Sequence, residues 1–227
     1  MKYYTYGMKT LEMNLYCLLI YVALFVVCYG VVGFPLPAFD VTLFYLFVVW
    51  MILHEIIHGI SFAYAKETDP KNVVFGMLLE KGIMYTMCKQ RVGKKTIDHA
   101  LMAPLFWIGI VTGVIAIIFD FPILLMLSLL NIGGSAGDIL MMIMMKKMPK
   151  DIEYLDLDDP ASFTILCKED LSEMKFSCLK LKDSGIYDET TMYAKDKKRI
   201  RISKASWIYF AVMTFFFLVM LYLETWI

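Results

Sequence analysis

An all-α polytopic membrane protein with about five transmembrane helices is the fold class this sequence predicts, and three observations carry the prediction. Hydrophobic residues make up 59% of the chain and aromatic residues 15%, and the mean hydropathy of +0.63 is well above that of a soluble domain. The apolar residues fall in runs long enough to cross a bilayer, which takes about 20 residues of helix. The 22 lysines and arginines are confined to three stretches: the first ten residues, 66–95 and 146–204. Basic residues are retained on the cytoplasmic side, so these stretches belong inside and the turns between them outside. The N-terminus is then inside and the C-terminus outside.

Taken in order, residues 1–10 are a weakly positive, aromatic start, followed by a first span at about 15–32. It is read as retained, because no small-x-small cleavage site follows it. Residues 33–40 hold two prolines and no lysine or arginine, as suits an outer turn. The second span covers about 41–65. Residues 66–99 form a polar, basic loop, within which Asn72–Leu79 and Ile83–Cys88 are β-prone runs around Glu80-Lys81-Gly82, predicting a cytoplasmic-side hairpin. The third span is about 100–119, with Pro104 near its start, and the fourth about 122–145 after an Asp120-Phe121-Pro122 turn. These elements make a membrane domain over 1–145. Residues 146–204 read as a small cytoplasmic α/β segment: Phe163, Ile165 and Cys167 alternate as in a strand, and Leu171, Met174, Cys178 and Leu179 recur at helical spacing. Residues 205–227 carry the fifth helix.

Several partner classes are excluded or reduced by composition. Equal numbers of basic and acidic residues, 22 of each, leave no basic footprint for nucleic acid. The five cysteines lack zinc-finger spacing and are read as thiols. Asp156, Asp158 and Asp159 read as a solvated acidic turn, and Lys197, Lys198, Arg199, Arg201 and Lys204 as a lipid-facing basic cluster beside the last helix.

The chemistry is concentrated in His54-Glu55-Ile56-Ile57-His58, an HExxH within the second span. On a helix the two histidines share a face and reach one metal ion, with Glu55 beside it as a general base. Zinc held this way keeps a position for water and acidifies it. Polar groups inside a span are costly unless paired, metal-bound or facing water, which strengthens the metal reading. A third ligand is needed. Asn131-Ile132-Gly133-Gly134-Ser135-Ala136-Gly137-Asp138 interrupts the fourth span, with Asn131, Ser135 and Asp138 on one stripe. His58 lies 18 residues after Asp40, and Asp138 18 residues after Asp120. Both therefore sit ~27 Å below the outer turns at ~1.5 Å per residue. Matched depth favours Asp138 as the third ligand. His99, at the inner mouth of the third span, is the competitor. Asn131 would either orient substrate or bind a developing oxyanion, or only bond a neighbouring helix.

At HEIIHG and NIGGSAGD the sequence resembles the bacterial membrane family called "putative zincin peptidases" and, more distantly, the site-2 protease class of intramembrane metalloproteases. The resemblance spans roughly residues 41–145. It implies zinc as cofactor, His54, His58 and Asp138 as metal ligands, Glu55 as catalytic acid/base and Asn131 as the asparagine that precedes the aspartate. It also implies that the hairpin presents substrate. In site-2 proteases the aspartate is followed by glycine and preceded by prolines; here Ile139 follows Asp138 and the gap is glycine and serine, one residue short. The expected function is a zinc-dependent, membrane-embedded endopeptidase of the bacterial cytoplasmic membrane, cleaving membrane-anchored proteins or peptides near the cytoplasmic leaflet. A metal-ion or small-solute transporter and an inactive client-binding protein are the alternatives. Neither the substrate nor the oligomeric state is legible.

Overall fold

The computed structural model describes residues 1–31, 41–79, 83–157, 159, 161–176, 178–188 and 200–224. Strand β1 (Lys2–Met8) leads into helix α1 (Thr10–Phe25), which continues as a π-helical stretch over Val26–Val31. Helix α2 (Val41–Ala63) carries the HExxH residues. Helix α3 (Lys94–Pro104), a π-helical stretch over Leu105–Val111 and helix α4 (Thr112–Ile118) run on as one rod. Helices α5 (Pro122–Gly134) and α6 (Ala136–Lys147) meet across Ser135 at 44°. Helix α7 (Lys204–Glu224) is the last element.

Between and around the helices lie two sheets. Strands β2 (Val73–Leu78) and β3 (Ile83–Cys88) pair antiparallel from Val73↔Cys88 to Leu78↔Ile83, so the two β-prone runs do form a hairpin. Strand β8 (Ile200–Ile202) joins β2 in parallel, giving the order β3-β2-β8. The second sheet combines β4 (Val92–Gly93), β5 (Glu153–Asp156), β6 (Ser162–Cys167) and β7 (Leu179–Ile186) with β1, in the order β4-β5-β6-β1-β7. All its pairings are antiparallel.

The all-α, five-span expectation is overturned. Among the described residues eight strands pair into two sheets beside the helices. Among the described residues three helical segments, Leu11–Gly30, Thr42–Ala63 and Lys94–Ile118, are long and apolar enough to cross a membrane, or four if the bent α5–α6 pair counts as one. The physical reason lies in the strands. In β1, Tyr4, Thr5 and Tyr6 are all buried, and in β6 every residue is. A strand covered on both faces shows no polar alternation. The β-favouring Tyr-Tyr-Thr-Tyr run was the available signal for β1.

Two local expectations also change. The helical spacing at Leu171–Leu179 gives no helix among the described residues: Leu171 is buried in the core cluster, Cys178 takes a left-handed φ of 63°, and Leu179 begins β7. The third span begins at Lys94, so Pro104 lies inside the rod rather than at its start. The turn at 33–40, the hairpin tip at 80–82, Asp158, the basic residues 197–199 and residues 225–227 fall outside the described residues.

The five-stranded sheet, which joins the first strand to strands of residues 92–186, caps the helices. Tyr4, Tyr6, Phe163 and Ile165 pack with Ile97, Ala100 and Leu101 of α3 and with Met141, Met144 and Met145 of α6 in one buried cluster. Tyr6 and Tyr154 both stack on Phe163, with centroids 5.9 and 5.6 Å apart. This cluster holds the ends of α3 and α6 beside α2, where the polar residues of the spans gather.

Candidate metal centre

His54 and His58, one turn apart on α2, present their Nε2 atoms 3.0 Å from each other. The other ring nitrogens are engaged. His58 Nδ1 donates to the carbonyl of Ala100 at 2.7 Å, since a carbonyl only accepts. His54 Nδ1 lies 2.9 Å from Asn131 Oδ1, and the amide orientation follows from Asn131 Nδ2 donating to the Pro104 carbonyl at 3.2 Å. A neutral imidazole protonated on Nδ1 carries a lone pair on Nε2. Two lone pairs therefore face one another.

The 44° break at Ser135 brings a third acceptor to them. Gly133 lets the Tyr21 ring of α1 lie against the backbone, where a Cβ would overlap it, and Ser135 turns its hydroxyl back onto the Asn131 carbonyl at 2.9 Å. Asp138, in the first turn of α6, then places Oδ2 at 3.2 Å from His54 Nε2 and 3.4 Å from His58 Nε2. That oxygen is buried and has no hydrogen-bond partner among the described residues. Three converging acceptors repel unless a proton or a metal ion stands among them, and two imidazoles with a carboxylate are a zinc donor set. Glu55 also has a ligand atom within 4.8 Å of those of His54 and His58, so the HExxH residues form a group able to hold a metal. Its carboxylate, however, is held elsewhere: Thr86 Oγ1 lies 2.9 Å from Glu55 Oε2. The residues present thus fit zinc, with the histidines and Asp138 converging and Glu55 alongside.

His54, Glu55, His58 and Asp138 line a cavity of about 240 Å³, whose walls include Thr86 of β3 and Tyr154 and Asp156 of β5. Asp156, assigned to a solvated turn by the sequence, is buried: it accepts from Tyr154 Oη at 2.6 Å and from the Cys88 N–H at 2.8 Å. Burial pushes its carboxyl up to about 7, and the same burial raises the Tyr154 phenol and pushes the Cys88 thiol up to about 12.

The structure brings together Glu55 and the four other residues the sequence singled out, His54, His58, Asp138 and Asn131. It does not bring His99, which is exposed, donates Nδ1 to the Lys95 carbonyl at 2.8 Å and lines a separate cavity. Asn131 is fully buried with its amide spent on His54 and Pro104. Binding substrate or an oxyanion would require it to give one of these up. Thr86 and Ala100 were missed; a backbone carbonyl carries no sequence signal, and a threonine in a strand is an ordinary β residue.

Residues 47–152 match the sequence model of a family described as "Putative zincin peptidase", the family the two motifs resemble. The match contains all five residues of the centre. No curated protein and no solved structure matches the chain.

Proposed function

With residues 47–152 matching a zincin-peptidase family, we propose that this protein is a membrane-embedded zinc endopeptidase that cuts membrane-anchored proteins or peptides near the cytoplasmic leaflet. The observation that carries the proposal is the convergence of His54 Nε2, His58 Nε2 and the orphaned Asp138 Oδ2, with the Glu55 carboxylate beside them in one cavity. His54, His58 and Asp138 would hold the ion, which when bound supplies a Lewis acid and an acidified water. Glu55 takes the proton of the attacking water and returns it to the leaving amine. Thr86 keeps the Glu55 carboxylate aimed while this happens. The Asn131 amide and the Ala100 carbonyl hold the two rings in one tautomer throughout.

Membrane embedding is supported by α1 and its π-helical continuation, which leave Leu11, Leu15, Leu18, Leu19, Val22 and Val26 exposed. In water such a belt would be a large apolar patch; in lipid it is the expected surface. Substrate geometry is supported by β3, an edge strand whose Thr86 borders the cavity. An extended peptide adding to that edge would pass the metal centre with its scissile bond out of helical conformation. A second, apolar cavity of about 520 Å³ shares Asn14, Cys17, Met51, Met84 and Gly134 with the first and reaches α7. It suits the apolar flank of a membrane-anchored chain.

The test uses the purified full-length chain in detergent micelles, loaded with zinc and incubated with single-span membrane protein fragments, products being read by mass spectrometry. Wild type should cleave, and Glu55→Gln should keep its zinc and cleave nothing. Cleavage by zinc-loaded Glu55→Gln would remove Glu55 as the base. Zinc passing down a gradient through the protein in liposomes would favour a transporter instead.

A further inference from the structure

We propose that Pro104 is a positioning residue of the metal centre, supplying from one break in the α3–α4 rod the acceptors that orient both histidines. The inference rests on reading His54 and His58 as zinc ligands. In an α-helix the N–H of residue 104 would bond to the carbonyl of residue 100. Proline has no such N–H, and its ring crowds the carbonyl four residues back. The next donor, the Leu105 N–H, goes to the Met102 carbonyl. Ala100 is thereby left with a carbonyl that neither helical donor claims, and that carbonyl is the one His58 Nδ1 reaches at 2.7 Å.

The same proline serves the other ring through its own carbonyl. Asn131 Nδ2 donates to the Pro104 oxygen at 3.2 Å, which turns Asn131 Oδ1 toward His54 Nδ1 at 2.9 Å. The π-helical stretch that follows Pro104 keeps this approach open: a Cβ on Gly109 would stand 3.2 Å from Asn131 Nδ2 and 3.0 Å from Ile132 Cγ1. Both imidazoles are thus fixed with Nδ1 protonated and Nε2 facing Asp138. The bond to Ala100 depends on proline's missing N–H, whereas the bond to residue 104 uses a backbone carbonyl that any residue there would carry.

The experiment measures the zinc dissociation constant of the full-length chain in detergent, by competition with a chelating dye, together with the melting temperature of the metal-free protein. Pro104→Ala restores the helical N–H and should weaken zinc about 10- to 100-fold, the usual effect of losing an outer hydrogen-bond partner. It should still take up one equivalent at saturation, and the metal-free protein should melt no lower than wild type, because alanine suits a helix better. Asn131→Ala should weaken zinc through His54 in the same way. The double variant Ala103→Pro/Pro104→Ala keeps a break but moves the missing donor one residue back, freeing the His99 carbonyl instead, and should bind zinc as weakly as Pro104→Ala. A Pro104→Ala protein that binds zinc within twofold of wild type would overturn the role of Pro104 alone, and so would a double variant as tight as wild type. A wild-type chain that takes up no zinc would overturn the metal centre and this inference with it.

Discussion

Thr86 on β3 holds the carboxylate of Glu55 on α2: its hydroxyl lies 2.9 Å from Glu55 Oε2 and 2.8 Å from the Glu55 carbonyl. A hydroxyl has one proton, so it serves one acceptor at a time, and each choice ties the hairpin to the base. Replacing Thr86 by valine removes the donor at nearly constant shape. The turnover number on a cleaved membrane peptide should fall roughly 10- to 100-fold, the scale expected for a misaimed catalytic group, with little change in KM. Thr86→Ser should recover most of it. An unchanged kcat in the valine variant would show that Glu55 does not depend on this bond.

Asp138 and His99 compete for the third ligand position, and geometry separates them. Asp138 Oδ2 lies 3.2 and 3.4 Å from the two Nε2 atoms, while His99 bonds to its own helix. Asp138→Ala should lose stoichiometric zinc in elemental analysis of the purified protein, and His99→Ala should keep it. The reverse result would move the ligand set to α3.

Asp156 gives the fold a pH dependence whose direction is opposite to that of a salt-bridged carboxylate. Its folded carboxyl sits up at about 7, whereas an unfolded aspartate ionises near ~3.9. The folded state therefore holds its proton to higher pH, so stability falls as pH rises from about 4 through about 7 and changes no further from this group above that. Asp156→Asn cannot ionise, and its amide can still accept from the Cys88 N–H and donate to Tyr154. The melting temperature of wild type relative to Asp156→Asn should fall between about pH 4 and about pH 7. A constant difference would mean that Asp156 is already ionised in the fold.

Gly59, directly after His58, is where the hairpin meets α2. A Cβ there would overlap the ring of Phe75 on β2. Gly59→Ala should cost about 1–3 kcal/mol of stability through overpacking, measured by chemical denaturation, and should displace the hairpin that carries Thr86. A neutral substitution would show that the Phe75 ring moves aside freely.

Much of the geometry of the candidate metal centre was readable before any coordinates. His54 and His58 are local, since i and i+4 on a helix share a face whatever the rest of the chain does. Asp138 came from counting residues along two spans, which works because a helix has a constant rise and a membrane a limited thickness. Asn131 was noticed for its polarity, but its partners were not, because one of them is a backbone carbonyl. The cap was less readable. β1 pairs with β6 and β7, strands more than 150 residues away, and burial on both faces removes the alternation that identifies a strand.

The sequence alone determined the apolar helices, the hairpin and the HExxH face, because each depends on residues within a few positions of one another. The tertiary structure decided which carboxylate meets the two imidazoles, which carbonyl each ring leans on, and that a sheet joining β1 to β6 and β7 closes over them. Those outcomes depend on a 44° break at Ser135 and on strand pairings across most of the chain. None of these has a local periodicity to read, because long-range packing rather than neighbouring side chains sets them.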